Sequence, residues 1–74
     1  TMVDQGWMAL RAGDAAGAAR SFQSAIYARP DDAEAWGALG VALCRTGRPQ
    51  EGLQALDRAA QLAPLSPRIA YNQG

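Results

Sequence analysis

The stretch AEAWGALGVALCRTGRPQEGLQALDRAAQLAP, Ala33 to Pro64, decides the fold. Trp36, Leu39, Gly40 and Leu43 mark its first half, at a spacing that suits a helix better than alternation. Gly47 breaks it in the middle. Gly52, Leu56 and Ala59 mark the second half, and Pro64 closes it. The marks Gly40, Gly47, Gly52, Leu56, Ala59 and Pro64 recur one fixed period earlier at Gly6, Gly13, Ala18, Phe22, Ala25 and Pro30. One period later, Gly40 falls on Gly74. A fixed period of this length is the signature of stacked repeats rather than of a closed globule.

Outward from that unit the chain reads as four helices and a stub. Apolar residues at Met2, Val3, Trp7, Met8 and Leu10 predict a first helix from about Met2 to Ala12, ended by Gly13. Asp14 is suited to capping a second helix over Ala15 to Ala28, with Ala18, Ala19, Phe22, Ala25 and Ile26 on one stripe. Pro30 stops it. Asp31 and Glu34 have the spacing of a capping box for a third helix that reaches about Thr46. Pro49 sits where proline best starts a fourth helix, whose apolar face is expected to be Leu53, Leu56, Ala59, Ala60 and Leu62. Ser66-Pro67 signals a fifth helix that runs only to Gly74. Turns this short force neighbouring helices antiparallel. The expected class is all-α, a short solenoid of helix-turn-helix repeats in a single domain over 1–74. Its units are 1–32, 33–66 and a partial third, 67–74.

Composition narrows the function. Seven arginines balance seven acidic residues, and lysine and histidine are absent. No basic footprint for nucleic acid exists. No apolar run approaches the roughly 18 residues that a membrane span needs, and no signal peptide is visible. The compartment stays open, with the cytoplasm as the default. A chain of 74 residues buries only about 60 % of its unfolded surface, and this one has neither a disulfide framework nor a metal cluster to staple it. Dense helix packing, a partner or self-association must supply stability. Alanine, the strongest helix former, suits close packing. The alanine- and arginine-rich, lysine-free usage hints at a GC-rich bacterial source.

Chemistry is hard to find in the sequence. Asp31 and Asp32 could suggest a metal, but they stand at a helix start without other ligands, so capping explains them. Cys44 has no histidine to activate it and reads as a partly buried small apolar residue. Glu51 and Asp57 read as solvated face. No catalytic residue, metal or cofactor is expected.

The marks of both units resemble the tetratricopeptide repeat, whose pattern is Trp-x2-Leu-Gly-x2-Tyr followed by Gly, Ala, Phe, Ala and Pro within about 34 residues. The second unit reads Trp36, Leu39, Gly40, Leu43, Gly47, Gly52, Leu56, Ala59 and Pro64. The first reads Met2, Gln5, Gly6, Ala9, Gly13, Ala18, Phe22, Ala25 and Pro30, and the stub supplies Ala70, Gln73 and Gly74. Gln5 and Gln73 depart from the family's leucine, Leu43 from its tyrosine and Gly52 from its alanine.

The resemblance implies a concave groove that takes a peptide or helix of a partner protein. Its lining would be Val3, Trp7, Leu10 and Arg11 in the first unit. Gly37, Ala38, Val41, Cys44 and Arg45 would follow in the second, with Arg68, Tyr71 and Asn72 in the stub. A known groove chemistry of the family, a Lys, Arg and Asn clamp on a C-terminal carboxylate, finds matches only at Arg68 and Asn72. The groove is instead mostly apolar, edged by Arg11 and Arg45, and a chaperone-tail clamp is not expected. Trp7 can serve either as packing or as an interface anchor, whereas Trp36 stands at the family's own structural tryptophan.

Three functions follow as expectations. The first is a non-catalytic protein-interaction module. The second is a structural or self-associating segment forming a homo-oligomer, because two units and a stub leave apolar ends. The third is a scaffold piece of a larger enzyme or of a secretion or assembly protein, suggested by the stop at Gly74 in mid-helix and by the boundary-like Thr1-Met2.

Overall fold

The computed structural model describes residues 1–63, and every described element is helical. α1 spans Met2–Arg11, α2 Ala15–Ala28, α3 Ala33–Arg45 and α4 Pro49–Leu62. α1 and α3 end one residue before the sequence suggests. The stub from Pro67 and its Arg68, Tyr71 and Asn72 lie outside the described residues. No described helix is long and apolar enough to cross a membrane.

The two helical hairpins share one set of joints, set by backbone chemistry. Gly13 and Gly47, at φ +87° and +82°, take the left-handed conformation that glycine adopts without steric cost. Each leaves the same pair of bonds behind. The Gly13 and Asp14 N–H groups donate to the Leu10 and Ala9 carbonyls at 3.0 and 2.8 Å. Gly47 and Arg48 donate to Cys44 and Leu43 at 3.3 and 3.0 Å. This paired geometry satisfies carbonyls that a helix end leaves free. α2 and α4 instead stop at Arg29 and Ala63, each immediately before a proline.

The starts of the helices are less uniform. Asp14 caps α2, its carboxylate accepting from the Gly17 N–H at 2.9 Å. The cap of α3 is Asp32, not Asp31. Its Oδ1 accepts from the Glu34 and Ala35 N–H groups at 3.1 and 3.4 Å. The Glu34 N–H, which a box from Asp31 needs, is the one that Asp32 takes, and Asp31 sits in the turn before it. The Asp31–Glu34 capping box therefore does not form. α4 starts with Pro49 at its first turn, as expected, and Arg48 caps it without any side-chain bond.

Phe22, fully buried, anchors a core shared with Leu10, Ala18, Ala19, Leu39, Leu43 and Ala55. α3 is the central element, packed against both α2 and α4, while α1 rests mainly on α2. The helical glycines explain how closely the pairs approach. A Cβ on Gly6 would run into the Phe22 ring. One on Gly40 would lie 2.6 Å from Leu56 Cγ and 2.8 Å from the Gly52 carbonyl oxygen, and one on Gly52 would lie 2.8 Å from the Gly40 oxygen. α3 and α4 thus cross backbone to backbone, which outweighs the roughly 1 kcal/mol of helix propensity each glycine sacrifices.

α4 departs from its expected apolar face. Gly52 and Ala55 are buried, whereas Leu53 is 62 % and Leu56 37 % exposed and Ala60 is exposed. Helical periodicity finds the stripe of large residues, but the crossing is so tight that only small residues fit at its centre. Leu56 reaches over Gly40 from the side.

Candidate functional site

The groove residues named from the sequence come from α1 and α3, and the structure sorts them into three kinds. Leu10 and Ala38 are buried in the core, with no side-chain surface free for a ligand. Val3 and Val41 are partly buried and pack against the core. Trp7, Arg11, Cys44 and Arg45 are exposed. Cys44 is therefore not the partly buried residue its chemistry suggests, although its sulfur approaches α4 at Gly52. A Cβ on Gly37 would meet Ala59 of α4 at 3.7 Å, so this glycine faces the α3–α4 crossing.

Trp7 resolves into both of its readings. Its ring meets Phe22 edge to face, with centroids 5.4 Å apart and rings inclined by 68°. Edge-to-face contact of this kind adds about 0.5–1.5 kcal/mol beyond area burial. The remaining 36 % of the residue is open. Packing braces the ring while leaving part of the residue exposed, which lowers the entropy cost of using it as an anchor. Trp36 is structural: its indole N–H donates to the Pro30 carbonyl at 2.8 Å and ties the α2–α3 turn to α3. Glu51 stays on the surface but is not solitary, since Arg48 Nε pairs with its carboxylate at 2.8 Å. An exposed pair of this kind contributes little, about 0–1 kcal/mol.

One concavity has no sign in the sequence. A cleft of about 360 Å³ opens where the start of α1, the end of α2 and the start of α3 converge. Met2, Val3, Ala25, Arg29, Asp32 and Glu34 line it. Val3 alone joins it to the groove set. No periodic pattern marks such a cleft, because its walls come from three helix ends and a turn. No group of acidic or sulfur ligands that could hold a metal occurs among the described residues.

This geometry, helical hairpins recurring at one fixed period with tight glycine crossings, defines a helical repeat protein. Residues 3–67 match the tetratricopeptide repeat, and the chain belongs to that family. It is similar to the peroxisomal targeting signal receptor of Eremothecium gossypii, 43 % identical over 51 residues, covering 69 % of this chain and 9 % of that protein. The receptor of the same name from Candida albicans is 42 % identical over 53 residues, covering 72 % and 9 %. Superkiller protein 3 of Schizosaccharomyces pombe is 46 % identical over 43 residues, covering 58 % and 3 %. The matched stretch thus covers under a tenth of the length of each of these relatives.

Proposed function

We propose that this chain is a non-catalytic protein-interaction module that takes a peptide or helical segment of a partner on the face formed by α1 and α3. The observation that carries this reading is Trp7, braced edge-on by Phe22 and still open on its free side. Val3 and Val41 extend the apolar surface. Arg11 and Arg45, one repeat apart and both exposed, select acidic groups beside the apolar anchor. Gly37, turned toward Ala59 of α4, adds no surface to this face, and Arg68 and Asn72, the remaining residues that the family resemblance implies, lie outside the described residues. Membership of the repeat family and likeness to proteins named as targeting signal receptors support a peptide-binding role.

Affinity then comes from apolar burial, and the arginines set register and on-rate. The test is selection of a random peptide library on the chain, followed by calorimetric titration of a selected peptide. Trp7→Ala is expected to weaken binding by at least about tenfold, as for a hot-spot tryptophan. Replacing Arg11 and Arg45 by glutamine flattens the salt dependence. Equal affinity for wild type and Trp7→Ala overturns the reading. The alternative of association between copies has one specific observation behind it, the exposure of Leu53 and Leu56 on α4.

A further inference from the structure

A second cleft, of about 350 Å³, lies between the first half of α2 and the turn that joins α3 to α4. Ala16, Ala19, Arg20 and Gln23 line it from α2, and Thr46 and Arg48 line it from the turn. None of these residues belongs to the proposed partner-binding face of α1 and α3. The lining carries two guanidinium groups and no carboxylate. Arg20 has no ion pair among the described residues. Arg48 gives its Nε–H to Glu51 at 2.8 Å, which leaves the terminal N–H donors of its guanidinium available. Glu51 itself lines the adjoining cleft at the start of α4, with Gly47, Pro49 and Gln50, and not this one. Repeat packing does not explain the pair of arginines. One period after Arg20 stands Gln54, and one period before Arg48 stands Asp14, of opposite charge. Like charges facing one cleft repel, and an anion between them turns that repulsion into attraction.

We propose that this cleft is a binding site for a phosphate monoester, held between the guanidinium groups of Arg20 and Arg48. Such an ester carries about two negative charges at neutral pH, which matches the two arginines. Guanidinium forks fit phosphate oxygens, and two forks from different elements suit a tetrahedral dianion better than a single carboxylate. The Gln23 carboxamide offers a further donor. Thr46 does not, because its hydroxyl donates to the Leu43 carbonyl at 2.8 Å. Ala16 and Ala19 keep the floor low, so the cleft holds the oxyanion together with several waters of about 30 Å³ each. Both arginines are exposed, so binding weakens as salt rises. A phosphorylated side chain of a partner and a small free ester present the same group to this site.

The experiment is titration of the full chain, followed by proton–nitrogen NMR of the backbone amides and the arginine Nε–H groups. The probes are phenyl phosphate and a short phosphoserine peptide, with acetate as the carboxylate control, all at one ionic strength. Wild type is compared with Arg20→Gln, Arg48→Gln and Arg58→Gln, the last an exposed arginine of α4 that does not line the cleft. The amides of α2 and α3 verify in the same spectra that each variant is folded. The expected result is saturable shifts confined to Arg20, Gln23, Arg48 and their neighbours. Arg20→Gln and Arg48→Gln each raise Kd about tenfold, as for loss of one charge-assisted contact, and Arg58→Gln leaves it unchanged. Tighter binding of the peptide assigns the ester to a partner chain, and tighter binding of phenyl phosphate assigns it to a small molecule; both uphold the site. Shifts that grow linearly without saturation overturn the proposal, as does acetate binding as tightly as the esters. Affinity lost in Arg48→Gln but kept in Arg20→Gln also overturns it and assigns the anion to the start of α4 alone.

Discussion

The hairpin α1–α2 buries Phe22 completely, whereas the hairpin α3–α4 leaves the equivalent Leu56 more than a third exposed. Their joints are nearly interchangeable: a left-handed glycine with the same two bonds after the first helix, and a stop before proline after the second. Local structure is therefore written into each unit separately. Burial is not. Phe22 is enclosed with Gly6 and Trp7 of α1 against its ring and with α3 packed on α2 as well, so a residue's energetic weight depends on its neighbouring unit as well as on its own type. This is the behaviour of a quasi-one-dimensional stack, in which interfaces between units carry much of the stability.

The sharpest way to break that comparison is to truncate both residues. Phe22→Ala should cost about 3–5 kcal/mol, enough to unfold a chain of this size. Leu56→Ala should cost clearly less, on the order of 1–2 kcal/mol, because part of its surface stays in water. Urea unfolding followed by helical circular dichroism measures both, and equal losses would mean that Leu56 is enclosed in solution. Next in size is Gly40→Ala. Its new methyl would press on the Gly52 carbonyl, a backbone atom that cannot swing aside. Overpacking of about 1–3 kcal/mol then exceeds the propensity gained, and the melting temperature falls.

Smaller effects separate the starts of α2 and α4. Asp14→Ala should cost about 1 kcal/mol through loss of the bond to the Gly17 N–H. Arg48 occupies the equivalent position with no such bond, so Arg48→Asp should stabilise by roughly 0.5 kcal/mol, net of the lost Arg48–Glu51 pair. The smallest change is Gly37→Ala, which meets only an ordinary contact with Ala59 and should gain about 0.5 kcal/mol of helix propensity. Thermal melts of the paired variants show whether Gly37 and Gly40, three residues apart, respond with opposite sign.

Much of the fold is legible in the residues alone. The positions of Gly13, Gly47, Pro30 and Pro49, and the stripe Ala18, Ala19, Phe22 and Ala25, all follow from short-range rules. The departures share a cause. Asp32 rather than Asp31 caps α3 because its carboxylate takes the Glu34 and Ala35 N–H groups while Asp31 stands in the turn after Pro30, and the extent of that turn is not a matter of residue spacing. Leu53 and Ala60 lie outside the packed face because α3 crosses α4 at Gly52 and Ala55 and no other described helix covers their side. Among the groove residues, periodicity places Leu10 and Trp7 side by side on α1, yet Leu10 is in the core and Trp7 stands partly open.

By itself, then, the sequence determined the helices, most of their caps and breaks, the period of the repeat and the positions where backbones must approach. Each depends on residues within a turn or two of one another, or on regular repetition along the chain. Only the tertiary structure decided which of the repeated residues are enclosed. It set Trp7 edge-on against Phe22, hid Leu10 and Ala38, and left Leu53 and Leu56 uncovered among the described residues. Burial is a property of the neighbour that arrives, and a helix cannot specify from its own period which of its faces that neighbour will cover.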